Sequence, residues 1–131
     1  MAKTFFFSAL FVSWLVFITF ASLFSFTGEM RAPILNIPHA DKIVHFIFYF
    51  IFVLLGVKAA REIFKVNVEL KKVLLYALIL ACIYGIIIEI LQYGFTENRE
   101  GDILDVLANS MGALAGMFVV KRLVSKGWSL K

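Results

Sequence analysis

Asp102, Asp105 and Asn109 recur at three- and four-residue spacing in the run Asp102-Ile103-Leu104-Asp105-Val106-Leu107-Ala108-Asn109. A helix over this run sets two carboxylates and a carboxamide on one face. The residues between them are apolar and suited to lipid, where a charged side chain costs about 2.5–3.5 kcal/mol on insertion scales. Two other segments repeat the pattern. Asp41, Lys42 and His45 share a helical face, with Tyr49 one turn deeper, and Glu89 and Gln92 share another directly after Ile86-Ile87-Ile88. Arg99 lies in the connection that leads to Asp102.

The balance of charge in this set selects among chemistries. Asp41, Glu89, Asp102 and Asp105 outnumber Lys42 and Arg99, and Glu97 and Glu100 add acid nearby. A pocket that grips phosphate presents several Arg or Lys, so phosphatase chemistry on lipid phosphates is disfavoured. An acidic excess suits a cation: an amine-bearing ligand, a proton, or a divalent metal held by His45 with Glu89, Asp102 and Asp105. As an enzyme the site would use His45 as base, with Glu89 or Asp105 as acid or ligand. As a binding site it would use Asp41, Lys42, His45, Glu89, Gln92, Arg99, Asp102, Asp105 and Asn109. A plainer alternative is an interhelical ion network: Glu89 pairs with Arg99 or His45, and Asp102 caps its helix. Ser110, the hydroxyl near the stripe, has no base at a defined spacing and is a poor nucleophile. His39 has no partner pattern and is expected to be exposed. Cys82, mid-span and the chain's single cysteine, excludes a disulfide framework and reads as packing.

The elements that must position these groups follow from composition. At 62% hydrophobic residues over 131 positions, the chain is far more apolar than a soluble domain, and it is read as one all-α membrane domain over residues 1–131. Four apolar stretches run from about Phe5 to Phe26, Ile43 to Val57, Val73 to Tyr93 and Ile103 to Val120. The second becomes a full crossing if its helix starts at Ala40 and continues to Ile63, with Lys58 and Arg61 reaching toward headgroups. The first resembles a signal peptide at Lys3 and Thr19-Phe20-Ala21, but its apolar run continues through Phe26, longer than a signal core, and it is read as a retained helix.

Ten of the thirteen basic residues fall on one set of ends: Lys3, the Lys58–Lys72 group and the C-terminal tail. Arg31, Lys42 and Arg99 fall on the other. Positive charge concentrates on cytoplasmic loops, so both termini are expected in the cytoplasm and the polar groups in the outer leaflet. The net charge of +4 is thus a topology signal and calls for no nucleic acid. Gly112 and Gly116, with Ala108 and Ala115 beside them, make a small-residue stripe below Asn109 that admits close helix packing, including helix–helix self-association.

Asp41-Lys42-Ile43-Val44-His45-Phe46 with Tyr49, then Glu89-Ile90-Leu91-Gln92, then Arg99-Glu100-Gly101-Asp102 through Gly112 and Gly116 together resemble the VanZ-like family of small bacterial membrane proteins. The likeness covers about residues 36–120. It implies a multi-pass protein of the bacterial cytoplasmic membrane and a link to the cell envelope, because the namesake is associated with low-level resistance to the lipoglycopeptide teicoplanin. It implies no particular reaction and requires no cofactor. The expectation is therefore a four-helix bundle with an outward-facing acidic pocket, in contact with membrane lipids, that binds or modulates a lipid-linked glycan or lipoglycopeptide. The rival expectation is a metal-dependent enzyme acting on a lipid headgroup or lipid-linked glycan.

Overall fold

The computed structural model describes residues 1–23, 39–65, 68–95 and 103–127. They form four helices and, among the described residues, no strand: α1 (Ala2–Leu23), α2 (Ala40–Phe64), α3 (Leu70–Phe95) and α4 (Ile103–Ser125). All four are long and apolar enough to cross a bilayer. Helices are the expected answer, since backbone N–H and C=O groups in hydrocarbon must be satisfied within their own segment. The second stretch is the full crossing that the sequence required, with Lys58 held by Glu62 at 3.1 Å one turn on and lying 4.8 Å from the Phe7 ring centre. The third and fourth stretches extend a turn or more beyond their apolar cores, to Leu70 and to Ser125.

Side-chain contacts give the topology. Thr4 near the start of α1 meets the Glu62 carbonyl near the end of α2, so these helices are antiparallel. Gln92 near the end of α3 donates to the Ser22 carbonyl near the end of α1 at 2.9 Å, so α1 and α3 run the same way. α4 packs most extensively on α2 and also touches α3, whereas α1 packs on α2 and α3 and does not reach α4. Basic Lys3, Lys58, Arg61, Lys65, Lys71, Lys72, Lys121 and Arg122 therefore share one end of the bundle.

The core is built from Tyr49, Phe52, Val53 and Val57 of α2, Ile18 of α1, Val73, Ala77 and Ala81 of α3, and Ala113 and Val120 of α4. Large apolar residues such as Phe5, Phe20, Ile83, Ile90, Leu107 and Phe118 face outward, as a lipid-solvated surface requires. The Trp14 indole donates to the Phe48 carbonyl at 3.1 Å, and the hydroxyls of Thr19 and Tyr84 hydrogen-bond each other. Both ties hold α1 to the bundle.

The small-residue stripe on α4 is used within the chain. A Cβ on Gly112 would collide with the backbone carbonyl of Phe46, and one on Gly116 would lie 2.8 Å from that of Phe50. The close helix packing expected of this stripe is made here with α2, which occupies the space the missing side chains leave.

Candidate functional site

At the end of the bundle away from the basic cluster, the first turns of α2 and α4 lie beside the last turns of α3. Parallel packing of α2 on α4 aligns the two stripes read from the sequence. Because Gly112 and Gly116 let α4 approach the α2 backbone, Asn109 and Asp105, about one and two turns nearer the helix start than Gly112, come within reach of His45 and Lys42.

The Lys42 ammonium bridges two carboxylates, 2.9 Å from Asp41 Oδ2 and 3.0 Å from Asp105 Oδ1. Below it His45 is buried. Its Nδ1 donates to Asn109 Oδ1 at 3.0 Å and lies 3.6 Å from Glu89 Oε1. On the other side of the ring, Nε2 is 3.9 Å from Asp105 Oδ2. That separation is too long for a direct hydrogen bond. Glu89, Asp105 and Asn109 are all buried, whereas the Asp41 side chain keeps 38% of its exposure and stands at the mouth.

At the base of the cluster, the Asn109 amide nitrogen and the Tyr49 hydroxyl are buried with no hydrogen-bond partner among the described residues. Asn109 is 1% exposed and Tyr49 0%. Both flank Gly85 on α3, where an added Cβ would meet Asn109 Nδ2 at 3.1 Å and the Tyr49 ring at 3.4 Å. Gly85 is what lets α3 close over them. An unpaired buried donor costs about 1–3 kcal/mol, so this packing carries a penalty at the base of the cluster.

His45, Glu89 and Asp105 each offer a ligand atom within 4.8 Å of the others. The 3.9 Å gap between His45 and Asp105 spans two metal–ligand bonds of about 2.0–2.2 Å at a wide angle. The same three groups can equally share a proton.

The structure brings together Asp41, Lys42, His45, Glu89, Asp105 and Asn109 from the sequence-derived set. Gln92 is buried one turn from Glu89 but donates to the Ser22 carbonyl of α1, so it braces α3. Arg99 and Asp102, including its capping role, lie outside the described residues, as do Glu97 and Glu100. His39 is exposed as expected and takes a left-handed conformation, φ 63°, before α2. Ser110 Oγ donates to the Val106 carbonyl at 2.9 Å and has Cys82 Sγ 3.9 Å away, a packing role for both. The sequence reading gave Ser22 and Tyr84 no role and took Thr19 only as part of a cleavage-site likeness. Thr19 and Ser22 share one face of α1, a signal that was present but lay in a helix with no charge beyond Lys3 to draw notice.

No curated relative and no solved structure matches the chain. The VanZ/LLP1 family profile matches residues 2–125, all four helices. With a profile match of that extent over four helices of membrane-spanning length, the chain belongs to the VanZ/LLP1 family of multi-pass membrane proteins.

Proposed function

We propose that the cluster of Lys42, His45, Glu89, Asp105 and Asn109 is a ligand site opening toward the outer leaflet of a bacterial cytoplasmic membrane, and that it engages the polar part of a lipid-linked glycan or lipoglycopeptide. The supporting observation is the convergence of five polar side chains from three helices at one end of a bundle whose core is apolar. Interhelical hydrogen bonds in membranes average only about 0.6 kcal/mol. Cohesion alone is therefore a weak reason to keep two carboxylates, a lysine and a histidine there. Lys42 and Asp41 at the mouth supply both signs of charge to an arriving amphiphile, whose acyl tail stays in lipid.

Expression in a sensitive Gram-positive host tests the reading. The inhibitory concentration of teicoplanin, which carries a lipid tail, should rise more than that of vancomycin. Asp105→Asn keeps shape and hydrogen-bonding capacity while removing charge, so recognition through hydrogen bonds should fall only partly. Wild type indistinguishable from empty vector would sink the glycopeptide ligand. Variants that lose thermal stability but keep the phenotype would reduce the cluster to a structural network.

The proximity of His45, Glu89 and Asp105 favours a second reading, a divalent metal and hydrolysis of a lipid headgroup or lipid-linked glycan. In that case protein purified without chelator carries a stoichiometric metal, and His45→Ala loses it. A metal-free preparation that binds none on titration removes this reading.

A further inference from the structure

The opposite end of the bundle holds a cavity of about 280 Å³, lined by apolar side chains of α1, α2, α3 and the α2–α3 connection, among them Phe11, Phe52, Ala60, Phe64, Val68 and Ala77. Small residues leave part of the room: Gly56 and Ala60 of α2 and Ala77 of α3 line it, and α1 closes one side with the Phe11 ring, 3.1 Å from where a Gly56 Cβ would stand. The lining runs from Phe52, midway along α2, to Phe64 at its end. At 1.5 Å per residue those twelve steps are about 18 Å, close to the roughly 15 Å depth of one leaflet's hydrocarbon.

The mouth of this groove is basic. Between positions 58 and 72 stand Lys58, Arg61, Lys65, Lys71 and Lys72 against Glu62 and Glu69, and the Lys58–Glu62 pair is satisfied internally at 3.1 Å. Arg61 Nη1 donates at 2.7 Å to the carbonyl of Val68, itself a lining residue. This contact holds the guanidinium at the groove's end. Lys65, Lys71 and Lys72 are exposed around it.

An apolar slot one leaflet deep, ending in a basic rim at the headgroup level, has the chemistry of an anionic phospholipid. We infer that the groove between α1, α2 and α3 holds one acyl chain of such a lipid, with its phosphate among Arg61, Lys65 and Lys72. The site is separate from the polar cluster and stands or falls independently of the proposed function.

Native mass spectrometry of delipidated protein in detergent tests the assignment, with phosphatidylglycerol and phosphatidylcholine of identical acyl chains as probes. One phosphatidylglycerol per chain is expected, held about fivefold or more tightly than phosphatidylcholine, in line with the attraction of each basic side chain for an anionic lipid. Ala60→Trp, which fills the slot, should abolish retention of both lipids. Lys65→Gln with Lys72→Gln, at exposed positions with no fold to disturb, should erase the preference and leave acyl-chain binding in place; this pair decides the matter if Ala60→Trp does not fold. Equal retention of the two lipids by wild type overturns the inference. So does unchanged binding in a folded Ala60→Trp, or a dimer that Ala60→Trp splits, which would make the groove an interface between copies.

Discussion

The two ends of the α2 helix use small residues in opposite ways. Toward its start, the glycines stand on the neighbour: Gly112 and Gly116 of α4 press against the Phe46 and Phe50 carbonyls, and the contact aligns charged side chains into a packed cluster. Toward its end, Gly56, Ala59 and Ala60 line an apolar cavity with Ala77, and the Phe11 ring comes up to Gly56. A small residue facing backbone brings helices together, whereas small residues beside a ring leave room around it. The same residue type thus builds a tightly packed polar site at one end and an open apolar slot at the other.

Breaking the charge pattern should have the largest effect. Lys42→Met leaves Asp41 and Asp105 facing each other without the ammonium between them, and removal of one member of a partly buried ion network costs about 3–5 kcal/mol. Thermal unfolding in detergent should show this loss, and adding Asp105→Asn should recover part of it. A loss below about 1 kcal/mol would mean that the polar end is no more tightly determined than the groove.

The glycines give the direct comparison. Gly112→Ala forces a Cβ onto the Phe46 carbonyl and should destabilise by about 1–3 kcal/mol or more. At Gly56 the nearest atoms are the outer edge of the Phe11 ring, which can swing, so Gly56→Ala should be neutral or gain some of the roughly 1 kcal/mol of helix propensity. Gly94→Ala, with nothing within 4 Å, carries the propensity change without any contact and is the reference for both. Equal losses at Gly112 and Gly56 would erase the distinction between the two ends.

Coupling within the cluster is smaller. Glu89→Gln and His45→Asn, measured singly and together, should show an interaction energy of about 0.5–3 kcal/mol for groups in one network, since Glu89 Oε1 lies 3.6 Å from His45 Nδ1. Strict additivity would separate α3 from the site. Smallest of all, Tyr49→Phe removes a buried hydroxyl with no partner among the described residues. It should be neutral or slightly stabilising; a clear loss would reveal a hydrogen bond formed when a ligand is present.

Membrane orientation underlies the outer-leaflet assignment and has its own check. In a Cys82→Ala background, a membrane-impermeant maleimide added to intact cells should label a cysteine at position 98 and spare one at Glu69. The reverse result moves the polar cluster to the cytoplasmic face.

Four crossings and the α2, α3 and α4 stripes were legible because lipid permits so few solutions: apolar runs become helices, and polar residues within them become visible by contrast. Asp105, Asn109 and His45 stood out for this reason, and the structure joins them. Gln92 shows the limit. Its spacing from Glu89 placed it on the same face, but its amide reaches the Ser22 carbonyl, a backbone partner that no side-chain pattern displays. The α2–α4 use of Gly112 was equally hidden, since a small-residue stripe announces a close neighbour without saying whether it belongs to the same chain. The groove escaped notice because an absence of side chains has no periodic signature.

The parallel α2–α4 contact also bears on how the protein is made. Lys42 and His45 enter the membrane with the second helix and Glu89 with the third, yet Asp105 and Asn109, which Lys42 and His45 contact, arrive only with the fourth. A nascent chain halted before residue 103 would hold the Lys42–Asp41 and His45–Glu89 pairs but have neither Asp105 nor Asn109 to complete them. The polar cluster is therefore complete only once the fourth helix has packed on the second.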